Sequence, residues 1–165
     1  MTLAAVLAFR PVKIHQFGLT DTGRTRKNNE DAILCDPGLR LFVVADGMGG
    51  ASAGEVASST AIAAVQAGVA KRFTELESLD AHGESWRVQG LLEQALQEAC
   101  AEVHAKATDN PELKGMGTTL TAAWFSPRRV TIAHVGDSRM YLVRGEDCHQ
   151  LTEDHSLVKE LLRQG

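Results

Sequence analysis

The sequence predicts a mixed α+β fold with hairpin-connected, mostly antiparallel sheets. Short apolar runs with strand character come first, two long stretches with helical periodicity follow, and strand-like runs return near the end. The regular alternation of strand and helix that indicates a parallel sheet does not occur in the sequence. At 165 residues the chain is long enough for roughly one domain, so residues 1–165 are predicted to form a single one.

The composition excludes several classes of function. Hydrophobic residues make up 44% of the chain and charged residues 23%, which is typical of a globular protein and not of a disordered or fibrous one. With 17 Lys+Arg against 21 Asp+Glu the net charge is −4, and no basic run occurs, so no nucleic-acid partner is expected. Cys35, Cys100 and Cys148 are odd in number and widely spaced, which fits neither a disulfide framework nor a zinc site and indicates a reducing, cytoplasmic setting.

No targeting or membrane segment is predicted. Residues 3–9 are apolar, but they are too few to span a bilayer and no basic residue precedes them. We expect this stretch to be a frayed end or an added edge strand, and we expect no membrane partner.

A strand and a hairpin are predicted in the first part of the chain. Residues 13–19 have strand character and lead into a polar loop at residues 20–29. Two apolar runs follow at residues 32–35 and 41–45, separated by the turn-forming sequence Asp36-Pro-Gly-Leu-Arg40. These two runs are therefore predicted to pair as an antiparallel hairpin.

Two helices are predicted in the middle of the chain. Ser52 is placed to cap the first, with Glu55 at the capping-box position. The apolar stripe of this helix consists of Ile62, Val65, Val69 and Phe73. Residues 84–107 keep the helical rhythm of apolar positions, and Asn110-Pro111 ends the second helix. Beyond it, strands are predicted at residues 118–125, 130–135 and 140–143, and a further helix at residues 155–163.

The predicted hairpin places two aspartates opposite each other. With a loop centred on Gly38 and Leu39, Asp31 faces Asp46 on the same side of the sheet, and a slip of one residue brings Glu30 there instead. Like charges about 5 Å apart repel, and a bound cation removes the conflict. Oxygen ligands without His or Cys nearby indicate Mg²⁺ or Mn²⁺. Alternatively, these carboxylates belong to a turn and a solvated loop end.

The polar loop before the first aspartate carries Arg24, Arg26 and Lys27. Arg26 is either one charge of a solvated basic loop or a guanidinium fork that binds a phosphate beside the metal. A basic loop that leads into an acidic cluster is the arrangement that a metal-dependent phosphate enzyme needs.

Five motifs occur in order along the chain. They are Arg26-Lys-Asn-Asn-Glu-Asp31, Val44-Ala-Asp-Gly-Met-Gly-Gly50 with Gly54-Glu55, Gly117-Thr-Thr119, Ala133-His-Val-Gly-Asp-Ser-Arg139 and Leu151-Thr-x-Asp-His155. With these motifs the sequence resembles the bacterial branch of the metal-dependent PP2C-type (PPM) protein serine/threonine phosphatases, over the N-terminal two-thirds of their catalytic domain.

The resemblance implies a β-sandwich of two antiparallel sheets flanked by pairs of α-helices, with a binuclear Mn²⁺ or Mg²⁺ centre at one end. It implies that Asp46 bridges the two metals. It further implies that the carbonyl of Gly47 and the acidic pair Glu30 and Asp31 hold one metal, directly or through water.

The same resemblance implies that Arg26 binds the substrate phosphate and that Asp137 belongs to an additional, weaker metal site. An ordinary hairpin turn is the alternative for Asp137, since Gly-Asp-Ser is a good turn sequence. The implied reaction is hydrolysis of phosphoserine and phosphothreonine by a metal-activated water. The implied partners are phosphoproteins made by a cognate serine/threonine kinase.

Two departures from the family pattern bear on activity. Met48 stands where some relatives carry a histidine that can protonate the leaving alcohol. The family domain also continues into a flap and strands with two more metal-binding aspartates, whereas this sequence ends at Gly165, so a C-terminally truncated fold that binds Mn²⁺ weakly is expected. An inactive module that binds phosphopeptides or a protein partner is the alternative function.

Overall fold

Two long helices pack on one face of a five-stranded antiparallel sheet in the computed structural model, which describes residues 13–49, 53–126 and 129–155. The helices are α1 (Ala53–Ala81) and α2 (Ser85–Asp109). The strands are β1 (Asp31–Asp36), β2 (Leu41–Met48), β3 (Gly117–Thr118), β4 (Leu120–Phe125), β5 (Val130–Val135), β6 (Tyr141–Arg144) and β7 (Asp147–Gln150). The predicted α+β class with hairpin-connected antiparallel strands is confirmed.

The strand order in the sheet is β1-β2-β4-β5, and β3 pairs with the end of β2. Asp36 fixes the turn between β1 and β2, because its Oδ1 accepts a hydrogen bond of 2.9 Å from the Leu39 amide and its Oδ2 accepts one of 2.8 Å from the Gln66 amide group. These bonds, the Leu39 one foremost, lower the pKa of Asp36. The turn thereby sets the register of the hairpin.

Trp124 in β4 ties the core to the same turn. Its side chain is 1% exposed, and its indole N–H donates a 3.1 Å hydrogen bond to the carbonyl oxygen of Leu39. The core against which it packs is formed by alternate residues of β2 and the inner faces of both helices, including Leu41, Val43 and Val65. A single buried aromatic residue therefore helps to hold the hairpin in place.

Replacing Trp124 by Phe is expected to lower the free energy of unfolding by roughly 2 kcal/mol, because the substitution leaves a gap in the core and removes the hydrogen bond to the partly buried Leu39 carbonyl. Trp86 on α2 provides the matched control, since its side chain is 73% exposed and Trp86→Phe should change stability little. Urea unfolding of both variants measures the difference. Equal losses in the two variants would contradict the structural role of Trp124.

Small residues bring α1 close to the sheet at its N-terminal end, where Ala53, Gly54 and Ala57 are buried. Further along, the predicted stripe residues Ile62, Val65 and Val69 are buried, and Phe73 is partly buried. The predicted capping residue Ser52 lies outside the described residues. The helix predicted at residues 84–107 is α2, which ends at Asp109 before Asn110-Pro111.

The strand predicted at residues 118–125 is broken in the structure. β3 ends at Thr118 and β4 begins at Leu120, because Thr119 between them bonds to Asp46 and leaves the regular ladder. The strand predicted at residues 130–135 is β5, and the one at residues 140–143 is β6, which begins and ends one residue later than predicted.

Three other segments differ from prediction or lie outside the described residues. Residues 13–19 form no strand and pair with none in the described part of the chain, and Phe17 and Leu19 are 87% and 77% exposed. β7 is an additional strand that pairs with β6. The helix predicted at residues 155–163 falls almost entirely on residues outside the described ones.

One sheet of the implied sandwich and one helix pair are present among the described residues, together with the separate β6-β7 hairpin. The face of the sheet opposite the helices carries partly exposed apolar side chains, such as Val44 at 44% and Val130 at 45%. Within the described ranges, neither helix has the length and apolar character needed to cross a membrane.

Candidate metal centre

The first hairpin brings Asp31 and Asp46 directly opposite each other. They are the first residue pair in the β1-β2 register, as the turn chemistry predicted. The pKa of Asp46 is raised, first by burial, then by the negative charge of Asp31 and a side-chain hydrogen bond with it, and also by the charge of Asp137. Three of the predicted site residues therefore interact electrostatically, and their like negative charges repel one another.

Asp31 and Asp46 line an open cleft of about 460 Å³, and Asp21 and Ser138 lie on its walls. Asp21 was not among the predicted site residues. Its Oδ1 accepts a 2.7 Å hydrogen bond from the amide of Gly23, so the carboxylate also serves to shape its own loop.

Gly47 lies where β1, β2 and α1 meet. Its amide donates a 3.1 Å hydrogen bond to the carbonyl oxygen of Glu30. A Cβ atom at Gly47 would lie 2.5 Å from the carbonyl carbon of Gly54 and 2.6 Å from the carbonyl oxygen of Glu30. Only glycine fits between these backbone segments, which places the start of α1 directly behind the two aspartates.

Glu30 and Arg26 form an ion pair in which Arg26 Nη1 lies 3.0 Å from Glu30 Oε2. The Glu30 side chain is 16% exposed and the Arg26 side chain 75%. The other carboxylate oxygen of Glu30 faces Gly54, where an added Cβ would lie 2.6 Å away. Glu30 thus holds the guanidinium group of Arg26 in this structure, and its role as a metal ligand stays a prediction.

Asp137 lies in the turn after β5, between Gly136 and Ser138, and is exposed. Gly136 has φ of +105°, a conformation that favours glycine. The turn is held from the far side by His155, whose amide donates a 2.7 Å hydrogen bond to the Gly136 carbonyl. Arg139 and Asp154, joined at 2.6 Å, connect the same two segments.

Two threonines for which the sequence predicted no role contact Asp46, a candidate metal ligand. The Thr118 hydroxyl donates a 3.0 Å hydrogen bond to the Asp46 carbonyl. The Thr119 hydroxyl accepts a 2.9 Å hydrogen bond from the Asp46 amide. The Gly117-Thr-Thr119 motif was the sequence signal for them, although nothing in the sequence shows which residue they contact.

The oxygen ligands offered by this site have the chemistry that a hard divalent cation prefers, but only a few of them are brought together. Asp31 and Asp46 face each other with like negative charges, which a Mg²⁺ or Mn²⁺ ion would neutralise. No group of three or more His, Cys, Asp or Glu side chains within the described ranges is arranged to hold a metal ion. A cation at this hairpin would therefore depend on backbone carbonyls and water for its remaining ligands.

Comparison with known proteins agrees with this fold. The family model of protein phosphatase 2C matches residues 20–161. The chain is 43% identical over 149 residues to the serine/threonine phosphatase stp of Listeria innocua, covering 88% of this chain and 56% of the relative. It is 39% identical over 146 residues to the serine/threonine protein phosphatase PstP of Mycobacterium tuberculosis, covering 88% of this chain and 26% of the relative.

Solved structures give the same result. The crystal structure of the Mycobacterium tuberculosis phosphatase PstP/Ppp matches with a TM-score of 0.69 and 38% identity, covering 88% of this chain and 56% of that one. The catalytic domain of PstP in complex with two manganese ions matches with the same TM-score and identity, covering 88% and 57%.

The α+β fold with a carboxylate pair at the sheet end is thus shared with solved bacterial serine/threonine phosphatases. The chain belongs to the protein phosphatase 2C family. It spans between about a quarter and somewhat more than half of the length of the curated relatives named above.

Proposed function

We propose that the chain is the N-terminal part of the catalytic domain of a Mn²⁺- or Mg²⁺-dependent protein serine/threonine phosphatase. The observation that carries the proposal is the pairing of Asp31 with Asp46 across the β1-β2 hairpin in a member of this family. We infer that Glu30 and the carbonyl of Gly47 hold the cation directly or through water, and that Asp137 belongs to an additional, weaker site. A divalent cation, when bound there, supplies Lewis acidity toward a water molecule and the phosphoryl oxygens.

In this proposal, side chains of the protein bind the substrate phosphate and position the cation. Arg26 presents a planar guanidinium with several N–H donors, of which Glu30 takes one, so the others are free to bind two oxygens of a phosphate. Asp46 and Asp31 hold negative charge where a cation must sit. Met48 cannot donate a proton, so protonation of the leaving alcohol falls to water.

The proposed substrates are proteins phosphorylated on serine or threonine by a cognate kinase. The names of the relatives, which are serine/threonine phosphatases, support this choice. We further propose a reducing, cytoplasmic setting and a role in bacterial signalling. Cys35, Cys100 and Cys148 are exposed free thiols, which supports the reducing compartment.

Phosphate release from synthetic peptides tests the proposal. The 165-residue chain with Mn²⁺ is expected to release phosphate from a phosphothreonine peptide, and to release far less from the same peptide carrying phosphotyrosine. Chelation of Mn²⁺ should stop the reaction. Hydrolysis that is unaffected by chelation, or a folded protein that releases no phosphate, would contradict the proposal for this chain.

Arg26→Ala is expected to raise KM for a phosphopeptide by about 10- to 100-fold, because charge-assisted hydrogen bonds to the phosphate, together worth roughly 1.5–3 kcal/mol, are lost. Arg24→Ala is the control, since it removes one exposed positive charge from the same loop. Steady-state kinetics at fixed salt distinguishes the two. An equal rise of KM in both variants would show that the loop acts only through its overall charge.

A further inference from the structure

Thr119 binds the backbone of Asp46 on both sides. The Asp46 amide donates to the Thr119 hydroxyl at 2.9 Å, and the Thr119 amide donates to the Asp46 carbonyl at 2.9 Å. This reciprocal pair takes Thr119 out of the strand ladder between β3 and β4. A regular strand residue would not need its side chain for this purpose, so the hydroxyl is a specific feature of this position.

Thr119 also holds the turn that carries Asp137. The oxygen atoms of the Thr119 and Ser138 hydroxyls lie 2.7 Å apart. Because the Thr119 oxygen already accepts the Asp46 amide, its own proton is available for Ser138. Gly136 packs against the same side chain, since a Cβ there would lie 2.7 Å from the Thr119 Cβ. The turn thus rests directly on Thr119.

We propose that Thr119 is a positioning residue whose hydroxyl sets the distance between Asp46 and Asp137, and with it the affinity of the site for a divalent cation. The part of this inference that concerns the cation rests on the proposed function. The part that concerns the two segments does not, because the hydrogen bonds that join Asp46, Thr119 and Ser138 are made between protein groups alone.

Four variants of the full 165-residue chain separate this role from general stability. Thr119→Val keeps the shape and removes the hydroxyl, and Thr119→Ser keeps the hydroxyl. Ser138→Ala removes only the far end of the hydrogen-bond chain. Thr152→Val is the matched control, because this buried threonine hydroxyl likewise accepts one backbone amide, that of Met140 at 3.0 Å, and has no hydrogen bond to Asp46.

Two measurements are made on each variant. Amide hydrogen exchange in the metal-free protein, followed by NMR, measures the exchange rates of the Asp46 amide and of the amides in the turn at residues 136–138. Titration calorimetry with Mn²⁺ reports affinity. Thr119→Val is expected to speed exchange at both places about tenfold and to weaken Mn²⁺ binding by about 10- to 100-fold, the usual effect of losing a group that orients a metal ligand.

The other variants have distinct expected results. Thr119→Ser should stay within about threefold of the unaltered protein in both measurements. Ser138→Ala should weaken Mn²⁺ binding while the Asp46 amide stays protected. Thr152→Val should leave Mn²⁺ affinity unchanged even if it lowers stability.

Unchanged Mn²⁺ affinity in Thr119→Val, or an equal loss in Thr152→Val, would overturn the proposal. If the unaltered chain binds no Mn²⁺, the proposed function fails. Hydrogen exchange then tests the positioning role of Thr119 separately. Faster exchange at both segments in Thr119→Val, but not in Thr152→Val, supports that role. Unchanged exchange in Thr119→Val overturns it.

Discussion

Replacing Asp46 by Asn is expected to remove Mn²⁺-dependent hydrolysis of p-nitrophenyl phosphate and, at the same time, to make the metal-free protein more stable. Loss of a residue that only orients a ligand typically costs 10- to 100-fold in activity, so loss of the proposed bridging carboxylate should cost at least about a hundredfold. The stabilisation follows because burial and the like charge of Asp31 both disfavour the ionised form of Asp46.

The gain in stability should depend on pH in a defined direction. Because the pKa of Asp46 is raised in the folded protein, its ionised form costs stability, and this cost appears as pH rises through the raised pKa. The Asn variant avoids it and should be more stable at pH 7 by roughly 0.5–1 kcal/mol, a typical effect for like charges on facing strands. The advantage should fade as pH falls to the ordinary aspartate value of 3.8.

Urea unfolding of both proteins between pH 3.5 and 7, with a chelator present, measures this difference. Leu142→Asn, which changes a partly exposed residue of the separate β6-β7 hairpin, controls for introducing an amide elsewhere. An Asp46→Asn protein that is less stable than the unaltered chain at pH 7 would show that the two carboxylates do not repel.

Gly47→Ala is expected to have the largest effect on stability. The added Cβ would overlap the carbonyl group of Gly54 and the carbonyl oxygen of Glu30, both of them backbone groups that cannot rotate away. Overpacking of this kind typically costs 1–3 kcal/mol, and a clash with two backbones should reach about 3 kcal/mol. Because the start of α1 must move away from β2, Mn²⁺ binding should weaken as well.

Gly90→Ala is the matched control for this variant. Unlike Gly47, Gly90 has open space around it, since nothing lies within 4 Å of a Cβ built there, and it occupies the interior of α2. Alanine at such a helix position should raise stability by roughly 0.5–1 kcal/mol. Thermal unfolding of both variants gives the comparison. Equal behaviour of the two would mean that β2 and α1 are not in close contact at Gly47.

The hairpin and its aspartate pair were predictable because local chemistry determines them. Asp36-Pro-Gly-Leu-Arg40 is a strong turn, and a turn fixes register, which places Asp31 opposite Asp46. The long helices were predictable for a similar reason, since their apolar positions recur with helical spacing.

Contacts between residues distant in sequence were not predictable. The break at Thr119 depends on hydrogen bonds to Asp46, 73 residues away, while the apolar pattern of residues 118–125 continues through it. β7 has four exposed residues and no apolar alternation, so nothing local indicates a strand. The pairing of Glu30 with Arg26 depends on the space left by Gly54, which only the approach of α1 to the hairpin creates.

Titration calorimetry of Mn²⁺ into the 165-residue chain, alongside Asp46→Asn and Asp31→Asn, tests most directly that the hairpin carboxylates form a metal centre. Weak binding by the unaltered chain that is lost in both variants is the expected result, because the described residues bring only a few oxygen ligands together. Binding that persists unchanged in both variants would place the metal elsewhere and contradict the account, and two tight sites in the unaltered chain would contradict the sparse ligand set.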